Sequence, residues 1–388
     1  MEGECKKRGI VFLMASYGFG GMELSLNGIA QELEKNGYEV VFLIGTVREA
    51  HIPFPQGIKV HVLGDYVVPG ARTPIKFARS FLESRTKIAA LKKQYQNYLF
   101  VSNDIFPGWV CLSLGIKPLL LWLHFSVKYI FASSTKWIVN RMLFRMVDGI
   151  IVPTASMAEE IEALLGSSVG KKTIVIPNPV PTKVDSYLYN PDAHYFAYVG
   201  RLVNHQKRVD RVLRALGKLA SKQWKLLVIG DGDDKEHLQD MAISLGINDR
   251  IAWVGWQDDP WEFIEEKGGV SALLLTSDYE GYGRVLVEAM ARGIPCVAVD
   301  CPVGPSDIIK NGINGVLIDL TTDDEIVKRL ANTLEELCEG KIVFNGYLIK
   351  SLAEEYDVST VTKKWVELIG KEDNQERPER SSTKTETT

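Results

Sequence analysis

Cysteine is scarce in these 388 residues and poorly placed for any staple. Cys5, Cys111, Cys296, Cys301 and Cys338 are odd in number, and no two stand at C-x-x-C spacing. That excludes a disulfide framework and a zinc ribbon, and it fits a reducing, cytoplasmic setting. Long apolar runs are also missing. The longest, residues 118–131, contains His124 and Lys128 and is too short to span a bilayer. The first nine residues are polar, so no secretory leader is expected. No G-x-S-x-G elbow occurs, which removes one kind of serine nucleophile. Nucleic-acid-binding motifs are absent and net charge is only −4, so nucleic acid is not an expected partner.

The near-neutral total hides an asymmetry. Residues 1–180 carry 20 Lys+Arg against 14 Asp+Glu, and the remainder carries 25 against 35. A positive first half suits an anionic partner. The length points to two domains, and the order of elements agrees. Apolar strand-like runs alternate with helical patterns from Ile10 to Ile176, pause at Pro177-Asn178-Pro179-Val180-Pro181, and restart at Tyr195. Two βα arrays joined by a proline-rich linker predict an α/β chain of two doubly wound Rossmann-like domains facing across a cleft. The expected division is 1–178 for the first domain and 179–355 for the second. Residues 356–370 would form a helix returning to the first domain, and 371–388, without aromatics, a disordered tail.

The stretch that organises the second half is Ser277-Asp278-Tyr279-Glu280-Gly281-Tyr282-Gly283-Arg284-Val285-Leu286-Val287-Glu288. It follows an apolar run and opens a helical pattern, which makes a corner suited to an anion. Glu280 and Glu288 would stand roughly 12 Å apart at helical rise. That span fits two ends of one extended ligand better than an acid/base pair on one bond. Gly200-Arg201 and Lys207, just after another strand, supply cations suited to a diphosphate. Glu288 would then accept hydrogen bonds from ribose hydroxyls, with Glu280 beside the distal group.

Other features admit two readings each. The loop Gly18-Phe19-Gly20-Gly21 either meets a ligand or is a plain tight βα turn. His124, at the end of an apolar run, is either structural or functional. The basic segments, Arg72 to Lys93 and Lys128 to Arg145, are either solvated helix faces or a surface for anionic head groups. Asp231-Gly232-Asp233 has the form of a metal-holding pair, but its place before a helix explains the carboxylates as well. No metal site is expected.

With Val199-Gly200-Arg201-Leu202, Gln206-Lys207, Gly230-Asp231-Gly232, the E-x7-E of Glu280 and Glu288, and Ala291-Arg292-Gly293-Ile294-Pro295, the chain resembles the retaining glycosyltransferases of family 4 (glycosyl transferases group 1), which have the GT-B fold. Gly18 to Glu23 and Gly255 to Glu262 make it most similar to the bacterial lipopolysaccharide 1,6-galactosyltransferases within that family. The resemblance implies a metal-independent, retaining transfer of galactose or glucose from a UDP-sugar to a saccharide or lipid-linked glycan, in lipopolysaccharide or cell-wall polysaccharide synthesis, at the cytoplasmic face of the membrane. It implies catalytic roles for Glu280, His124, Arg201 and Lys207. Donor contacts would come from Gly20, Gly21, Arg201, Lys207, Gly281, Tyr282, Gly283, Arg284, Val285 and Glu288, with no cofactor. One departure bears on the sugar: Tyr282-Gly283-Arg284 stands where those galactosyltransferases tend to have Phe-Pro-Met. The alternatives are a non-hydrolysing nucleotide-sugar epimerase and a catalytically silent nucleotide-sugar-binding protein.

Overall fold

The computed structural model of the chain describes residues 9–49, 52–64, 74–131, 137–220 and 223–375. Two parallel sheets carry the architecture. The first contains β1 (Ile10–Tyr17), β2 (Val40–Val47), β3 (Lys59–Val62), β4 (Leu99–Ser102), β5 (Leu119–Trp122), β6 (Gly149–Val152) and β7 (Thr173–Val175), in the order β3-β2-β1-β4-β5-β6-β7. The second contains β8 (Tyr195–Val199), β9 (Lys225–Ile229), β10 (Ile251–Gly255), β11 (Ala272–Leu275), β12 (Cys296–Asp300) and β13 (Gly315–Asp319), in the order β10-β9-β8-β11-β12-β13. The chain reverses its lateral direction beside β1 and again beside β8. An open parallel sheet has its ligand crevice at such a switch, beyond the carboxyl ends of the strands.

The central strands read as unbroken apolar runs because helices cover both faces of each sheet. Along β1, Ile10, Phe12 and Met14 belong to one core cluster while Val11 and Leu13 belong to the cluster on the opposite face. This is the two-residue alternation of a pleated strand.

The chain passes between the sheets twice, and the two passages are bonded to each other. Val180 donates its backbone N–H to the Tyr356 carbonyl at 3.0 Å, and the Thr182 hydroxyl donates to Asp357 Oδ2 at 3.2 Å. The helix Val358–Gln375 then lies on the first sheet. Its Trp365 is fully buried, with ring centroids 5.7 Å from Phe12 and 4.8 Å from Trp122.

Some elements differ from the sequence reading. The first helix spans Gly21–Lys35 rather than starting at Leu24, because the extended Gly20 leads the chain directly into it. Helices without a counterpart in the reading include Ile105–Ser113 and Asp323–Cys338. The second buries Ile326, Val327, Leu330, Leu334 and Leu337, and its first turn holds Asp323, Asp324 and Glu325, where the helix dipole favours negative charge. Of the first basic segment, Arg72 lies outside the described residues, as do Lys136 of the second and most of the expected tail, 376–388. Three other cations of the first segment are engaged locally. Arg79 pairs with Glu83 at 2.8 Å, Lys92 donates to the Leu114 carbonyl at 2.6 Å, and Lys87 donates to the Leu63 carbonyl.

Candidate active site

After β8 the chain passes Gly200 and Arg201 and winds one helical turn, Asn204–Lys207. Arg201 is exposed, and its carbonyl accepts the Tyr198 hydroxyl at 2.8 Å. Lys207 sits deeper. Its ammonium donates to Glu280 Oε1 at 2.6 Å, and the Ser277 hydroxyl donates to the same oxygen at 2.6 Å. Both charged side chains are largely withdrawn from solvent, at 15% and 8% exposure, so their attraction is screened less than that of a surface pair. The charges of Glu280 and Arg201 both act on the Tyr198 phenol, whose pKa is raised chiefly by burial, with Glu280 adding to the rise and Arg201 opposing it.

The turn that bears Lys207 is laced to the loop that bears Glu280. Asp278 N–H donates to the Gln206 carbonyl at 2.9 Å, and the Thr276 hydroxyl donates to the Arg208 carbonyl at 2.8 Å. Arg208 has left-handed backbone dihedrals (φ 50°). Its guanidinium bridges Asp210, Asp278 and Asp323, and Arg211 binds Asp278, Asp323 and the Thr276 carbonyl. The Arg208 hydrogen bond is the main cause that holds the Asp323 carboxyl down at about 2. Arg211 is 3% exposed, and Arg211→Met would remove the donor to the buried Thr276 carbonyl while Arg208 still holds Asp278 and Asp323. Losing a buried charged donor of this kind costs about 1–3 kcal/mol. Urea unfolding should show that loss, and a change below about 1 kcal/mol would show the network to be dispensable.

Gly283, at φ 87°, lets the chain turn into the helix Arg284–Met290. Tyr282 is buried with its hydroxyl unpartnered, and Val285 is partly buried against the core. Glu288 does not stand alone: Arg284 Nε donates to its Oε1 at 2.7 Å.

The first domain meets this surface from the other side. His124 follows β5, packs its ring 4.6 Å from Trp122, and among the described residues has no partner for either ring nitrogen. Burial drives its pKa down to about 3, so the imidazole is neutral near pH 7. It can donate or accept a hydrogen bond there but brings no positive charge. Gly281 lies directly against it, since a Cβ on Gly281 would fall 1.9 Å from the His124 carbonyl oxygen. In the Gly18–Gly21 loop, Glu23 folds back so that its Oε1 accepts the Gly18 N–H at 3.0 Å. Phe19 meets Trp256 of the second domain edge to face, with centroids 5.0 Å apart. A Cβ on Gly21 would stand 3.4 Å from Arg284 Cδ.

The fold thus gathers Lys207, Glu280, Gly281, Arg284 and Glu288 from one domain and His124 and the Gly20–Gly21 loop from the other, with Arg201 at the solvent edge. Ser277 and Arg208 were in view in the sequence but given no role; their adjacency to Glu280 and Lys207 was the available signal. Within Asp231-Gly232-Asp233, the first carboxylate has local partners. Asp231 pairs with Lys235 at 3.2 Å and accepts the Gly232 N–H at 2.9 Å, and Asp234 accepts the Asn204 N–H at 2.6 Å.

Comparison with known proteins addresses both halves. A family model described as "Glycosyl transferases group 1" matches residues 181–339, and one described as "Glycosyltransferase Family 4" matches residues 19–184. A lipopolysaccharide 1,6-galactosyltransferase of Escherichia coli K12 is 34% identical over 321 residues, 77% of this chain and 81% of that one. An uncharacterized glycosyltransferase of Haemophilus influenzae is 23% identical over 91% of this chain and 97% of its own length. Among solved structures, the apo form of the lipopolysaccharide outer core galactosyltransferase WaaB superposes with a TM-score of 0.76 at 26% identity, covering 93% of this chain and 99% of that one. Anabaena Alr3699/HepE in complex with UDP superposes with a TM-score of 0.71 at 19% identity, a likeness of fold, and covers 94% of this chain and 100% of its own.

Proposed function

Because the chain belongs to the glycosyltransferases of group 1 and family 4 and has their GT-B fold, we propose that it transfers a hexose, galactose or glucose, from a UDP-sugar to a saccharide or lipid-linked glycan, with retention at the anomeric carbon. The observation that carries this is the Lys207–Glu280 pair, largely buried at the switch point of the second sheet, with the adjoining Gly281 set against the His124 backbone of the other domain. Lys207 and Arg201 supply positive charge for a diphosphate, Glu288 a carboxylate for ribose, and Glu280 with the Gly281–Val285 backbone a polar wall for the sugar. Galactose is favoured by the names of two relatives, the Escherichia coli 1,6-galactosyltransferase at 34% identity and WaaB at 26%.

In the proposed reaction the acceptor oxygen forms its bond to the anomeric carbon on the face that the diphosphate leaves. The acceptor proton passes to a departing phosphate oxygen, so no protein base is required. Lys207 and Arg201 offset the negative charge that builds on the leaving group. Neutral His124 contributes a hydrogen bond at the sugar.

A panel of UDP- and GDP-sugars, assayed for nucleotide release with and without acceptor saccharides, tests the reading. Release from UDP-galactose or UDP-glucose is expected. Interconversion of the sugars without acceptor would establish the epimerase instead, and binding without turnover the silent protein. Activity is expected to persist in EDTA; complete loss restored by a divalent cation would overturn metal-independence and turn attention to Asp231.

We also propose that the chain works at an anionic membrane surface. The helix Trp137–Met146 exposes Trp137, Ile138, Val139, Met142 and Met146 alongside Arg145, apolar and basic together, as interfacial helices are. No helix among the described residues is long and apolar enough to cross a membrane. Co-sedimentation with vesicles containing anionic lipid, weakened by salt and by Ile138→Glu, is expected. Equal recovery with zwitterionic vesicles would remove the charge argument.

A further inference from the structure

Arg284 has a side chain that an anion-binding turn does not need. Its backbone continues from Gly283, but its guanidinium reaches in three directions. Nε donates to Glu288 Oε1 at 2.7 Å, and Nη1 donates both to Ser25 Oγ at 3.1 Å and to the Pro179 carbonyl at 2.5 Å. Ser25 is fully buried on the first helix of the other domain, and Pro179 lies where the chain crosses between the sheets. One planar cation is therefore shared by the helix that carries Glu288, the facing domain and the crossing segment.

An i,i+4 ion pair on a helix surface is worth only about 0.3–0.5 kcal/mol and holds neither partner firmly. This pair differs on two counts. Arg284 is 14% and Glu288 21% exposed, and the guanidinium is fixed at its far end by two further acceptors. A rigid fork with separate donors can do this, whereas the single ammonium of lysine is a point charge on a flexible stem. Among the described residues Glu288 Oε2 has no partner, so one carboxylate oxygen is fixed and the other is free.

We propose that Arg284 is a positioning residue for nucleotide binding: it anchors Glu288 through one oxygen and presents the other to the vicinal hydroxyls of the ribose of a nucleoside diphosphate. It also holds that carboxylate in register with the first domain. The inference rests on the assignment of Glu288 to ribose made above.

The test compares UDP with 2′,3′-dideoxy-UDP by calorimetry on the full chain, for wild type, Arg284→Met and Arg284→Lys. Arg284→Met is expected to weaken UDP about tenfold, the usual scale for a charge-assisted hydrogen bond. The dideoxy nucleotide, which offers no hydroxyls to Glu288, should bind wild type and variant alike. Arg284→Lys should fall between, and in turnover the donor KM should rise with kcat nearly unchanged, as for a contact made equally in ground and transition states. An equal loss for both nucleotides would overturn the proposal, since removing a cation from a diphosphate site explains it. No loss for either would also overturn it. Should Arg284→Met fail to fold, Arg284→Lys decides by the same criterion. If wild type binds UDP but does not distinguish it from the dideoxy form, the ribose assignment fails; if wild type does not bind UDP, the function proposed above fails.

Discussion

Lys207→Ala is expected to lower kcat by about 10²–10³-fold, the range seen when one preorganised donor to a developing negative charge is removed. The ammonium lies in a largely buried pair with Glu280 at 2.6 Å, so its position is set before any donor arrives. Glu280 is held a second time by Ser277, which leaves the carboxylate less able to follow a mobile lysine and so keeps the ammonium where it is. Removing Lys207 also leaves Glu280 with Ser277 as its remaining side-chain donor among the described residues, and this costs stability as well as rate. Lys207→Gln, which keeps a neutral donor, separates the two effects. It should recover much of the unfolding temperature and little of kcat. The double variant Lys207→Ala with Glu280→Gln should lose less than the two single losses combined, because the residues act as a unit. Near wild-type turnover in Lys207→Ala would sink the assignment of this lysine to the leaving group.

Which parts of this arrangement could be read in advance follows from the range over which each is determined. The central strands were legible because Ala272 to Leu275 in β11 and Cys296 to Val299 in β12 form apolar runs that only burial on both faces explains. The Lys207–Glu280 pair was half legible. Each residue lay in a recognisable stretch, but the sequence said nothing of their 2.6 Å contact across 73 positions. The network around Arg208 was invisible for the same reason, since its partners Asp278 and Asp323 stand 70 and 115 positions away. The helix Asp323–Cys338 was missed although its pattern was present, because its opening acids look like the end of a loop until Ile326, Leu330, Leu334 and Leu337 are set on one face. Arg284 was read for its backbone alone. Its side-chain role depends on Ser25, 259 positions earlier, and no local periodicity can supply that.

Gly281→Ala should lower the transfer rate on the order of 10²-fold while leaving each domain folded. The added Cβ would lie 1.9 Å from the His124 carbonyl oxygen and 3.0 Å from its carbon, closer than non-bonded atoms tolerate. Both neighbours are backbone, so no rotamer change relieves the clash. The two residues belong to different domains, however, and the clash has an outlet that one inside a sheet would lack: the domains can separate about the paired crossings at Val180 and Asp357. Separation of about an ångström would carry the His124 side off the sugar site, and a misplacement of that size costs on the order of 10²-fold in rate. Because opening relieves the clash without repacking the interior of either domain, the unfolding temperature should move little. Nucleotide affinity should fall less than kcat, because Lys207, Arg284 and Glu288 remain together on the second domain. A variant with wild-type kcat would show that transfer does not need this close approach; one that loses its folded state would show that the approach belongs to the core.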